Sequence, residues 1–119
     1  MHKVFVYGSL KQGGHNHYFL SQSSFIGRCR TEPAYELFTL GSFPCVVSGG
    51  TTSVQGEVYE VDNSTLEKLD ELEGHPDWYQ REQITTVYGA AYLYLYLGDV
   101  GHCSKIVSGE WIIPAIDNN

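Results

Sequence analysis

Two groups in this sequence have the residue types and spacing for chemistry: Glu73, near the end of DNSTLEKLDELEG at residues 62–74, and the loop Tyr7, Gly8, Ser9, Leu10 inside VFVYGSLKQGG at residues 4–14. A carboxylate moves protons near neutral pH only if its charged form is made costly. At about 100° per residue, the apolar stripe of a helix over residues 62–74 centres near Leu69, with Glu73 beside Leu66 and Leu69 and Glu71 on the opposite side. Glu73 would then lie in the last turn, where the helix dipole disfavours negative charge, and on the inward face, where desolvation does the same. The competing reading is a frayed helix end with Glu73 in water. The loop suggests a different function: a buried strand that ends in a glycine able to take positive φ leaves main-chain N–H groups free, and an oxygen-rich anion can approach them. A plain strand-to-turn junction explains the same residues. A phosphate loop does not, because Gly8 and Gly13 are followed by Gly14 and His15 where that motif needs Lys and then Ser or Thr.

The elements that must position these groups can be read from pattern. Residues 4–6 (VFV) predict a buried strand, residues 15–20 one or two helical turns, and residues 24–30, 34–40, 45–47, 54–61, 78–87 and 91–97 further strands, with a short strand over 105–107. The segment 62–74 is the clearest helix. Asp62, Asn63 or Ser64 can cap it, Ser64 and Glu67 have capping-box spacing, Leu66, Leu69 and Leu72 form its stripe, and Gly74 supplies the stop. In AYLYLYL, Leu93, Leu95 and Leu97 share one face and Tyr92, Tyr94 and Tyr96 the other, which makes the tyrosines either a second core layer or a pocket lining. Glu57, inside VQGEVYEV, is either a structural hydrogen-bonding group or part of a site. One good helix among strands, with the first strand pairing late ones, predicts an α+β domain over residues 1–119, built on a small mixed, barrel-like sheet with short flanking helical turns.

Composition narrows the partner. The 119 residues carry a formal net charge of -7 and only seven Lys and Arg, which argues against nucleic acid or an anionic membrane and for a small molecule. Neither a signal peptide nor a long apolar span is present, so a soluble, cytoplasmic protein is expected. Three cysteines without a CxxC pair predict reduced thiols. His15 and His17 alone make no metal site, and no metal or other cofactor is expected.

The segments VFVYGSLKQGG with Asn16-His17, GEVYEVD, LDELEG, WYQR and finally SGEW, in this order, resemble the gamma-glutamylcyclotransferase-like family, and within it the gamma-glutamylamine cyclotransferases. The resemblance implies a small β-barrel with flanking helices, a loop at Tyr7, Gly8, Ser9 and Leu10 that binds a γ-glutamyl substrate, Glu73 as catalytic base, and Tyr79 in the pocket wall. It also implies a reaction without cofactor, since the substrate's own α-amine attacks its γ-carbonyl, closes 5-oxoproline and expels an amine. A non-catalytic module that holds a small amino-acid-like carboxylate uses the same loop, and an acidic protein-interaction domain accounts for the charge alone.

Overall fold

The computed structural model describes residues 1–113. The first strand, β1 (His2–Val6), is central, since it pairs antiparallel with β5 (Gln55–Val61) and parallel with β7 (Gly89–Tyr96). β2 (Ser24–Arg30) adds to β5 and β6 (Tyr79–Thr86) to β7, giving a five-stranded order β2-β5-β1-β7-β6. A second sheet, β4-β3-β8, comprises β3 (Tyr35–Thr39), β4 (Pro44–Ser48) and β8 (Ser104–Lys105). The expected α+β class with a mixed sheet holds, whereas the barrel does not: the strands divide into two sheets that are not closed into one.

β1 is apolar on both faces because both are covered. Val4 and Val6 join Tyr59, Val61, Leu66, Leu69 and Tyr94 on the helix side, while Phe5 and Tyr7 join Leu37, Val46, Val58, Leu93 and Leu95 on the other. A continuous apolar run in place of alternation follows from burial on two faces. In β7, by contrast, the period-2 pattern is kept, with leucines in one cluster and tyrosines in or against the other. Leu97 falls beyond the strand and is exposed.

The helix α1 (Asn63–Glu73) starts where Asp62 Oδ1 accepts from the Thr65 N–H at 2.7 Å, so Asp62 is the cap and no Ser64–Glu67 box forms. It stops at Gly74, whose φ of 65° and ψ of 36° lie in the left-handed region that glycine occupies without strain. Leu66 and Leu69 are buried, each contributing roughly 1.5–3 kcal/mol. Leu72, expected in the same stripe, is instead 37% exposed. The expected strand over 105–107 is shorter and one residue earlier, and the Ile106 N–H just past it donates to the Leu37 carbonyl of β3 at 2.7 Å. Among the described residues, no helix is long and apolar enough to cross a membrane.

Candidate active site

At the end of β1 the chain enters a tight loop. Lys11 N–H donates to the Gly8 carbonyl at 3.0 Å, Gly14 N–H to the Lys11 carbonyl at 2.8 Å, and Asn16 N–H to the Ser9 carbonyl at 3.1 Å. Side chains pin it further. Asn16 Nδ2 donates to Ser9 Oγ at 2.9 Å, His17 Nδ1–H donates to the Leu10 carbonyl at 2.9 Å, and the buried Glu57 accepts from Gln12 N–H at 2.9 Å and from the Tyr59 hydroxyl at 2.9 Å. Through all of this, the N–H groups of Gly8, Ser9 and Leu10 find no acceptor among the described residues. Three successive free donors make this stretch chemically competent to hold an oxyanion or carboxylate.

Glycine at position 8 has a different cause from the one the sequence suggested. Its φ is not positive; a Cβ there would sit 2.8 Å from Pro44 Cγ and 3.0 Å from Cδ, so a side chain at position 8 would force the first residue of β4 to shift.

A cavity of about 760 Å³ opens beside this loop, and Tyr7, Gly8, Ser9, Leu10, Glu73 and Tyr79 all line it. Residues from the end of β1, the end of α1 and the start of β6 are thereby brought to one space. Glu71 lines it too, which corrects the helix-phase expectation that it faces away; at the last turn both acids flank the opening, with Glu71 exposed and Glu73 half-buried.

Desolvation pushes the Glu73 carboxyl up to about 7, and no hydrogen-bond donor offsets it among the described residues. Burial, and then the nearby Glu73 charge, hold the Tyr7 and Tyr79 phenols well above the ordinary tyrosine value, so both are neutral donors at physiological pH. The Tyr7 hydroxyl is committed to the Tyr94 carbonyl at 2.7 Å. Tyr79 is freer, since its hydroxyl lies at a long 3.4 Å from the Pro44 carbonyl. A site with a proton-poised carboxylate, neutral phenols and free N–H donors can take a proton from a substrate, return it, and stabilise negative oxygen.

Other residues join the site. Tyr94 and Tyr96 line the cavity while also packing the core, so both readings of the tyrosine stripe hold. Asp70 accepts from Arg81 Nε at 2.9 Å and from the Tyr94 hydroxyl at 2.7 Å, and Arg81 lies 4.5 Å over the Tyr92 ring. This network ties α1 to β6 and β7 just upstream of Glu73. Its signal was present in the sequence, as Asp70 follows Leu66 by one helical repeat and must share its inward face. Pro44 carried no such signal, and Asn16 entered only as part of the family resemblance. His15 lines the cavity, but His17 is spent on the loop, and no group of three metal-ligating side chains occurs among the described residues.

Residues 4–112 match the family described as gamma-glutamyl cyclotransferase, AIG2-like. The chain is 46% identical over 110 residues to a Vibrio cholerae protein provisionally named a gamma-glutamylcyclotransferase, covering 92% of this chain and 95% of that one. It is also 38% identical to the Escherichia coli gamma-glutamylcyclotransferase family protein YtfP, covering 92% and 96%. Among solved structures, an uncharacterized protein from Pyrococcus horikoshii superposes with a TM-score of 0.82 at 30% identity, covering 92% and 89%. An AIG2-like protein from Mus musculus superposes with a TM-score of 0.81 at 28% identity, covering 94% and 88%.

Proposed function

This chain belongs to the gamma-glutamyl cyclotransferase, AIG2-like family, and on that premise we propose that it cyclises a γ-glutamyl amine or amide to 5-oxoproline and releases the free amine. The observation that carries this reading is the meeting in one cavity of Glu73, with its carboxyl pushed up to about 7, and the N–H groups of residues 8–10, which find no acceptor among the described residues.

In the proposed reaction Glu73 takes a proton from the substrate's α-ammonium. The freed amine nitrogen bonds to the γ-carbonyl carbon, and negative charge gathers on the γ-oxygen. Glu73 gives its proton to the leaving nitrogen as the bond from that carbon to it breaks, then takes the surplus proton from the new ring nitrogen and passes it to the released amine, which departs as its ammonium, so atoms and charge balance without an external co-reactant. The substrate supplies its own nucleophile, and ring closure is intramolecular, which removes the entropic cost of bringing two molecules together. The role of Gly8, Ser9 and Leu10 is to hold the γ-glutamyl group by its carboxylate or its developing oxyanion, with Tyr7 and Tyr79 as the adjoining wall.

The test is mass detection of 5-oxoproline during incubation with a panel of γ-glutamyl amines, amides and amino acids. Release that Glu73→Gln abolishes supports the proposal. Ligand-dependent thermal stabilisation without turnover would favour a binding module for a small carboxylate instead.

A further inference from the structure

Asp70 stands one helical turn before Glu73, on the same side of α1. Its carboxylate is fully engaged. Arg81 Nε donates to both oxygens, at 2.9 and 3.2 Å, and the Tyr94 hydroxyl donates to Oδ1 at 2.7 Å. Arg81 is itself fixed: its guanidinium lies 4.5 Å over the Tyr92 ring, and its backbone N–H donates at 3.2 Å to Nδ1 of His75, the residue just past the α1 cap. The two side chains are only 25% and 19% exposed, so water and salt screen the pair incompletely.

The surroundings of Glu73 show what this pairing achieves. Tyr7, Tyr79 and Tyr94 all stand close enough to Glu73 for its charge to help hold their protons on. Each nevertheless points its hydrogen elsewhere: Tyr7 to the Tyr94 carbonyl at 2.7 Å, Tyr94 to Asp70, and Tyr79 to the Pro44 carbonyl at a long 3.4 Å. The remaining titratable groups at this end of the cavity are Glu71 on the same turn, His15 in the loop after β1, Tyr96 on β7, and Cys45 on β4, which stands behind Tyr7 and Tyr79 with its thiol pushed up to about 12. A full cation and a full anion thus lie within one helical turn of Glu73, yet burial is what raises its carboxyl, with neither charge adding to or opposing the effect. Opposite charges 2.9 Å apart largely cancel at a distance, and either one alone would not.

We propose that Asp70 and Arg81 are positioning residues for Glu73: as a neutral pair they take up the Tyr94 hydrogen and withhold a net charge from the cavity, so that Glu73 keeps the dry, donor-free surroundings a base requires. The proposal rests on the cyclotransferase reading above and assigns the pair no contact with substrate.

The test is the pH dependence of kcat/KM for 5-oxoproline release by the wild type, Asp70→Asn, Arg81→Gln and the double variant. Asp70→Asn leaves the Arg81 charge unopposed, which favours the Glu73 carboxylate, and should move the acid limb to lower pH by about half a unit or more. Arg81→Gln leaves Asp70 as an unpaired anion, which disfavours a second one, and should move the limb by a similar amount to higher pH. The double variant should return it to about 7, and Arg81→Lys, which keeps the charge, should hold it there. Carbon-13 titration of the Glu73 carboxyl reads the same midpoints without turnover. Where Asp70→Asn does not fold, Arg81→Gln against Arg81→Lys decides. Shifts of opposite sign that cancel in the double variant support the proposal. Lower turnover with unmoved midpoints, or shifts in one direction, overturn it, reduce the pair to a brace between α1 and β6, and leave the cyclotransferase reading standing. Absence of 5-oxoproline from every γ-glutamyl compound overturns that reading itself, and the role of the pair with it.

Discussion

The side-chain amide of Asn16 donates to Ser9 Oγ at 2.9 Å, so the Ser9 hydroxyl is used as an acceptor and keeps its own hydrogen free for a partner in the cavity. Asn16 thereby sets the direction of a hydrogen bond that Ser9 alone leaves open. Asn16→Asp reverses it, because a carboxylate accepts the Ser9 hydrogen and adds a negative charge near the substrate's carboxylate. Asn16→Asp should raise KM by about tenfold or more, corresponding to one charge-assisted hydrogen bond lost. Asn16→Ala should cost less, since the Asn16 N–H still holds the Ser9 carbonyl. Steady-state kinetics on one substrate decides this. A larger effect for Ala than for Asp would show that the amide only packs.

Glu73→Gln preserves shape and removes the base, so turnover should fall by roughly 10²–10⁴-fold with little change in substrate binding, while Glu67→Gln on the exposed side of α1 changes neither. In the wild type, kcat/KM should lose about tenfold per unit as pH drops below about 7, because the base must start deprotonated. A pH–rate profile that is flat between 5 and 7 would remove Glu73 from the proton transfer.

The same group makes a prediction about stability. Burial raises the Glu73 carboxyl from its ordinary 4.5 to about 7, so the folded state binds its proton more tightly than the unfolded state does. Its contribution is fully favourable below about pH 4.5 and is lost as pH rises through about 7. Glu73→Gln should therefore be more stable than the wild type at pH 8, by about 1–3 kcal/mol, and show no such advantage at pH 4. Denaturant unfolding at the two pH values measures the difference.

Gly8→Ala places a methyl against Pro44 and should cost about 1–3 kcal/mol as an overpacked contact. Adding Pro44→Ala removes the Cγ and Cδ that the methyl meets, so the double variant should recover stability beyond the sum of the single effects. Additive losses, by thermal unfolding, would place the constraint on Gly8 elsewhere.

Exhaustive chelation is expected to leave 5-oxoproline release unchanged. Alkylation at neutral pH should label the partly exposed Cys29 and Cys103 faster than Cys45, whose thiol burial pushes up to about 12, and should likewise spare turnover. Loss on chelation that zinc restores would return His15 and His17 to the mechanism.

What the sequence determined by itself was local. The capping residues and Gly74 bounded α1, the leucine spacing turned Glu73 inward, and the alternation in AYLYLYL sorted leucines from tyrosines, because each of these follows from the pitch of a helix or the pleat of a strand over a few neighbouring residues. The family motifs went further and named the six positions that the fold brings to one cavity.

Tertiary structure alone decided the rest. Gly8 reads as a residue chosen for positive φ until β4 brings Pro44 against it; Leu72 reads as core and Glu71 as turned away until the last turn of α1 is found to line the cavity. The Asn16–Ser9 bond and the Asp70–Arg81–Tyr94 network likewise depend on which strands are neighbours and on two sheets staying open rather than closing. Periodicity says which way a side chain points from its own backbone. What it meets there is set by strand order, and that is a choice among long-range pairings that no local pattern contains.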